Sequence, residues 1–136
     1  MNVQVQHLGA VQFEVHARQH TIACDQPETL GGYDEGMTPP ELLLSALGTC
    51  ATFYTVAYLN KKGFREPGTR VEVSADKVTN PPRMDNFQIK VIPPVELSAE
   101  QRAGVEQAVH HCLIHNTLLN PPSISLEIEQ PVFVYA

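Results

Sequence analysis

The run TPPELLLSALGTC, residues 38–50, constrains this chain more than any other stretch. Thr38 followed by Glu41 has capping-box spacing, and Pro39 and Pro40 stand where a first helical turn tolerates proline. This start, with Gly63 as the stop, predicts a helix from 39 to about 62. Between Leu42 and Ala51 only Ser45 and Thr49 interrupt its apolar character. Such a helix needs cover on every side, which a place on a sheet surface does not supply.

Steps of three and four along that helix put Leu43, Ala46, Cys50, Phe53 and Ala57 on one stripe. Cys50 is therefore carried among apolar groups, including an aromatic. Desolvation there raises a thiol's pKa, and the thiolate is the nucleophile, so a catalytic Cys50 needs a cation beside it. The candidates are Arg18 and His20, near the second and third strands, followed by Arg65, Arg70 and Arg83. The alternative is that Cys50 is a small buried hydrophobe, the common fate of a free cysteine.

Polar and apolar residues alternate over 2–7, 11–16 and 20–24, which predicts three strands. Residues 25–40, rich in Gly, Pro, Asp and Thr, read as a surface loop leading into the first helix. Strands are also expected over 70–78 and 86–92, with a turn between them. Ser98 and Gln101 begin a second helix, about 99–119, that carries Val105, Ala108, Val109, Cys112 and Leu113 at helical spacing and stops at Asn120–Pro121–Pro122. A last strand pair, 123–129 and 132–136, is expected to close the chain. The pattern is α+β, antiparallel strands around two helices, in one domain spanning 1–136. With 43% hydrophobic residues the chain can build its core without a metal or a disulfide framework.

Nine basic residues against fifteen acidic ones, a net charge of -6, argue against a nucleic-acid partner. The N-terminus alternates where a signal peptide would run apolar, and no unbroken apolar run of 18 residues occurs, so no membrane segment is expected and the cytoplasm is the expected location. In such a reducing compartment Cys24, Cys50 and Cys112 are expected as thiols, not as structural bridges. Cys24 ends a strand beside Asp25, which disfavours a thiolate, so it reads as packing. Cys112 lies among His110, His111 and His115, ligand types for zinc or copper. On one helix these side chains cannot converge on one ion, and no metal or cofactor is expected. Glu41 can act as a base or orient an arginine, although capping alone accounts for its position.

The segments DQPETLGGYDEGMTPPELLLSALGTC, LNKKG near 60, VEVSA at 71–75 and AVHHCLIHNTL at 108–118 resemble, in order, the OsmC family of osmotically inducible and organic hydroperoxide resistance proteins. The resemblance implies an OsmC-like α+β fold in which two chains intertwine as a homodimer with active sites at the interface. It further implies a stress-response thiol peroxidase that reduces organic hydroperoxides, Cys50 being peroxidatic and Cys112 resolving, with an external dithiol as reductant. Glu41 and Arg18 are the implied carboxylate and arginine. In well-characterised members the glutamate stands ten positions before the reactive cysteine, which here is Pro40, and Glu41 is about 100° away around the helix. Arg18 matches the family's arginine only loosely. The other reading is a non-enzymatic binding protein that holds a small hydrophobic ligand in the dimer-interface pocket.

Overall fold

The computed structural model describes residues 1–134. Strands β1 (Gln4–Gly9), β2 (Gln12–Ala17) and β3 (His20–Cys24) form an antiparallel sheet in the order β1-β2-β3. A loop with one 3-10 turn at Glu28–Leu30 leads to α1 (Pro39–Lys61), followed by the antiparallel pair β4 (Arg70–Val78) and β5 (Arg83–Ile92). Two helices follow, α2 (Ala99–Val109) and α3 (Leu113–Leu119). The α+β reading and the first three strands stand within a residue or two of expectation.

Local chemistry sets both ends of α1. The Glu41 carboxylate accepts from the Thr38 backbone N–H at 2.7 Å and from its hydroxyl at 2.9 Å, so the predicted capping box forms. At the other end Gly63 takes φ 90°, and Phe64 N–H returns to the Leu59 carbonyl at 3.0 Å, the left-handed turn that glycine permits. α2 starts with the same device: Ser98 N–H donates to Gln101 and Gln101 N–H to the Ser98 hydroxyl, at 2.9 and 3.2 Å.

The core sits where α1 crosses β4, β5 and α2. Ala51, Leu59, Val105 and Val109 are buried together, flanked by Tyr58, Phe64, Val71, Ile89, Val91 and Leu97. Leu47, Ala51, Thr55 and Leu59 form the buried stripe of α1, one residue per helical turn, and the Thr55 hydroxyl is satisfied by the Ala51 carbonyl at 2.9 Å. At 23 residues α1 is long and apolar enough to cross a bilayer by length and composition alone, yet this stripe is packed as protein core.

The opposite side of α1 is bare within the chain. Phe53 is 67% exposed, and Val56 and Leu43 are also exposed, so the cover expected on every side comes from one side only. α1 packs on β4, α2 and α3 and more lightly on β5, while the β1–β3 sheet makes no comparable contact with it.

Two further expectations are corrected. The single helix over 99–119 is broken at His110–Cys112 into α2 and α3, because Cys112 is extended, φ -59° and ψ 123°, and caps α3 with its own sulfur. Leu113, expected on the buried stripe, is consequently exposed. Among the described residues the first strand of the last pair does not form: residues 123–129 lie in no strand, and Ile124, Leu126 and Ile128 stand exposed. The second strand of that pair extends to 135 and 136, which lie outside the described residues.

Buried Asp25, 1% exposed, organises the loop before α1. Its carboxylate accepts from the N–H groups of Gln26, Tyr33 and Glu35 at 2.8, 3.1 and 3.1 Å, and from Gln12 Nε2 at 3.4 Å. Burial alone would push this carboxyl up, but these donors outweigh it and hold the pKa below the ordinary value. A depressed carboxylate contributes stability that is present above its unfolded pKa, about 4, and is lost as pH falls through the lower folded value. Acid unfolding should therefore begin below about pH 4, and Asp25→Asn should flatten that pH dependence in chemical-denaturation curves.

Helix contact leaves its own test. The ring of Tyr58 occupies the space that a Cβ on Gly104 would need. Gly104→Ala should lower unfolding free energy by about 1–3 kcal/mol in urea titration through overpacking, despite alanine's better helix propensity.

Candidate functional site

Two thiols meet where α1 crosses the α2–α3 junction. Cys50 lies mid-helix on α1 and is half-buried, Cys112 is 0% exposed, and the two thiols are close enough for each to shift the other's pKa. α1 reaches this point because it packs against both α2 and α3. Cys112 reaches it because the break at His110–Cys112 turns its side chain out of α2's register, and its Sγ accepts the His115 backbone N–H at 3.4 Å.

The electrostatics separate the two sulfurs. Burial pushes the Cys50 thiol up, but the bond from Cys112 and the backbone amides of Ile114 and Leu113 outweigh it, leaving its pKa below the ordinary thiol value. Cys112 moves the other way: burial, then its bond to Cys50 and the charge there, raise it against the opposing His115 and Ile114 amides. Of the two sulfurs, Cys50 is the one whose surroundings favour the thiolate, and those of Cys112 favour the thiol.

No arginine or histidine side chain contributes to this shift, so the expected cation is replaced by neutral donors. Arg18 is exposed at the tip of the β2–β3 hairpin, on the sheet that does not pack against α1. His20 begins β3 on the same hairpin, and Arg65 is exposed beyond α1. Arg70 pairs with Glu72 at 3.4 Å and Arg83 with Asp85 at 2.8 Å.

Glu41 caps α1 nine residues before Cys50, about 13 Å along the axis, and does not reach the thiols. Its bonds from the Thr38 backbone and hydroxyl hold its carboxyl below the usual range, against the effect of burial, with a smaller contribution from Lys77. Cys24 is buried at the end of β3, bridged to Met37, in the packing position expected of it. The fold thus brings together Cys50 and Cys112 of the four anticipated residues, and leaves Glu41 and Arg18 apart from them.

The amides of Leu113 and Ile114 carry no signature in a sequence, since every residue but proline has one. His115 was visible as a residue type, one turn from Cys112, but not as a donor to its sulfur.

A second concavity of about 650 Å³ lies between β5 and α2. Its walls are largely apolar, among them Ile89, Val91, Leu97 and Val105, and His110 and His115 also line it. Among the described residues, no three His, Cys, Asp or Glu side chains form a group able to hold a metal.

The family model of OsmC-like proteins matches residues 32–127. Among solved structures, a Psychrobacter arcticus 273-4 protein linked to osmotic stress and detoxification response is similar at TM-score 0.78 and 19% identity, covering 86% of this chain and 87% of that one. An OsmC-like protein of Mycoplasma pneumoniae follows at 0.71 and 19%, covering 88% and 87%. The organic hydroperoxide resistance protein OsmC of Legionella pneumophila stands at 0.60 and 16%, covering 86% and 87%. At these identities the likeness carries the fold alone. No functionally curated protein matches the sequence.

If neutral donors poise Cys50, removing the closest should be felt at once. In Cys112→Ala the midpoint pH of Cys50 alkylation by iodoacetamide should move up relative to wild type, and in Cys112→Ser, which keeps a donor, it should move less.

Proposed function

Because the chain belongs to the OsmC-like family, we propose that it is a thiol-dependent peroxidase reducing organic hydroperoxides, with Cys50 attacking and Cys112 resolving. The observation that carries this reading is the proximity of the two thiols, Cys50 on α1 and buried Cys112 at the α2–α3 break, with opposite pKa displacements.

The Cys50 thiolate attacks the terminal peroxide oxygen, the O–O bond breaks, and the departing alkoxide takes a proton to leave as alcohol. Cys50 is then a sulfenic acid. Cys112 displaces its hydroxyl, giving a disulfide and water, and an external dithiol returns both sulfurs to thiols while becoming a disulfide itself. Three free cysteines suit a reducing compartment, so the cytoplasm is the proposed location.

A homodimer completes the site in this reading. The bare side of α1 with Leu43, Phe53 and Val56, and the alternating Ile124, Leu126 and Ile128, are apolar surfaces that a second copy would cover. Arg18 would then arrive from the second copy, with Glu41 holding its guanidinium. Two observations support that use. Thr38 holds the Glu41 carboxyl below the usual range, and Arg18 is exposed at the tip of the β2–β3 hairpin, where a second copy can meet it.

The apolar concavity between β5 and α2 favours a second reading, a carrier of a small hydrophobic ligand with the thiols incidental. One experiment separates the two. Reduced protein treated with cumene hydroperoxide and quenched with a thiol label should lose two labels per chain. Cys50→Ser should abolish the loss, and Cys112→Ser should leave a dimedone-reactive sulfenic acid on Cys50. Full labelling of the treated wild type would favour the carrier.

A further inference from the structure

The first turn of α3 starts on sulfur. N–H groups in a helix's first turn have no partner inside the helix, so something outside must accept them. Here the His115 N–H lies 3.4 Å from Cys112 Sγ, and the Leu113 and Ile114 amides act on Cys50. Resting on the thiol-peroxidase reading, we propose that closing the Cys50–Cys112 disulfide releases this turn, so that α3 loosens and opens the buried sulfur to the external dithiol.

Three observations make α3 responsive to its cap. It is seven residues long and none of them is buried, so packing adds little to a length that is marginal in water. Its start rests on few other bonds: Asn116 N–H donates to the Cys112 carbonyl at 3.0 Å, and Asn116 Nδ2 to the His110 carbonyl at 3.1 Å. Both acceptors belong to the same short break that carries the sulfur. Finally, Cys112 is 0% exposed while α3 packs against α1. A dithiol regenerates a disulfide by attacking one of its sulfurs, and this one is closed to solvent until a neighbour moves.

Closure changes both the place and the chemistry of the acceptors. The S–S bond draws Cys112 Sγ to about 2.05 Å from Cys50 Sγ, towards α1. The thiolate that the Leu113 and Ile114 amides favour is replaced by a neutral disulfide sulfur, and a bond without charge holds less strongly. In turnover the Cys50 sulfenic acid supplies the oxidising equivalent and its oxygen leaves as water. Diamide, an azodicarboxamide, can stand in for the peroxide: it takes the two thiol hydrogens, becoming the hydrazine, as the S–S bond forms.

Amide hydrogen exchange followed by NMR, on reduced chain and on chain oxidised with diamide, reads α3 directly, the Cys50–Cys112 link being verified by peptide mass spectrometry. The His115 and Asn116 amides should exchange about fivefold faster in the oxidised chain, the order expected for loss of a helix cap, with α2 unchanged. Unchanged or slower exchange over 113–119 overturns the proposal, and so does an equal acceleration in every helix, which indicates general destabilisation. Cys50→Ser given the same diamide treatment should show no change, and acceleration there overturns the link to the disulfide. Thr117→Ala improves helix propensity at an exposed position of α3 and should slow reduction of the disulfide by dithiothreitol about threefold. An unchanged rate means that the dithiol attacks Cys50 with α3 in place, which overturns the opening. A chain that diamide cannot link overturns this proposal and the peroxidase reading together. A linked chain whose α3 loosens, but whose thiols never react with cumene hydroperoxide, overturns the peroxidase reading alone.

Discussion

Sulfur takes the place usually held by a hydroxyl or carboxylate oxygen where α3 begins, and the position of the second thiol depends on it. Cys112 accepts the His115 N–H, which ends the run of helix that α2 starts. Were α2 to continue, Cys112 would stay in its register, one turn beyond the buried Val109, instead of turning at the break to meet Cys50. The interruption also points the Leu113 and Ile114 amides at the thiol pair. One backbone kink therefore supplies the neighbour sulfur and the donors that poise it.

This arrangement differs from the usual way of activating a thiol. A cation stabilises a thiolate over several ångströms, whereas neutral donors act only in contact and impose a geometry. Here the donors belong to a different helix from the nucleophile, so the acidity of Cys50 is coupled to the α1–α3 packing. Burial first, and then the same contact, displace Cys112 the opposite way, since stabilising the anion on one sulfur holds the proton on the other.

α1 has the opposite problem of too little partner. The stripe Leu47, Ala51, Thr55 and Leu59 meets the chain's own core, while the side with Phe53 and Val56 meets none, and Cys50 lies between these conditions. The β1–β3 sheet stands off from α1, and Ile124, Leu126 and Ile128 after α3 are alternating apolar side chains left exposed. Each of these surfaces is what a second copy would cover.

Signals that act over four or five residues were legible in the sequence. Thr38–Glu41 and Ser98–Gln101 gave helix starts, Gly63 a stop, and period-two alternation the strands β1 to β5, because capping and side-chain alternation are decided by near neighbours. The same local code read 99–119 as one helix, since Cys112 carries no conventional cap oxygen, and read 123–129 as a strand, since alternation says nothing about where its partner lies. The stripe containing Cys50 was visible, but not which side of α1 would be covered. Residue identity determined that the chain holds one thiol within an apolar helix, Cys50, and a second, Cys112, in a later helical region. Only tertiary packing decided that they come together and that backbone amides and not a guanidinium of the same chain poise the first, because those contacts join residues separated by more than sixty positions.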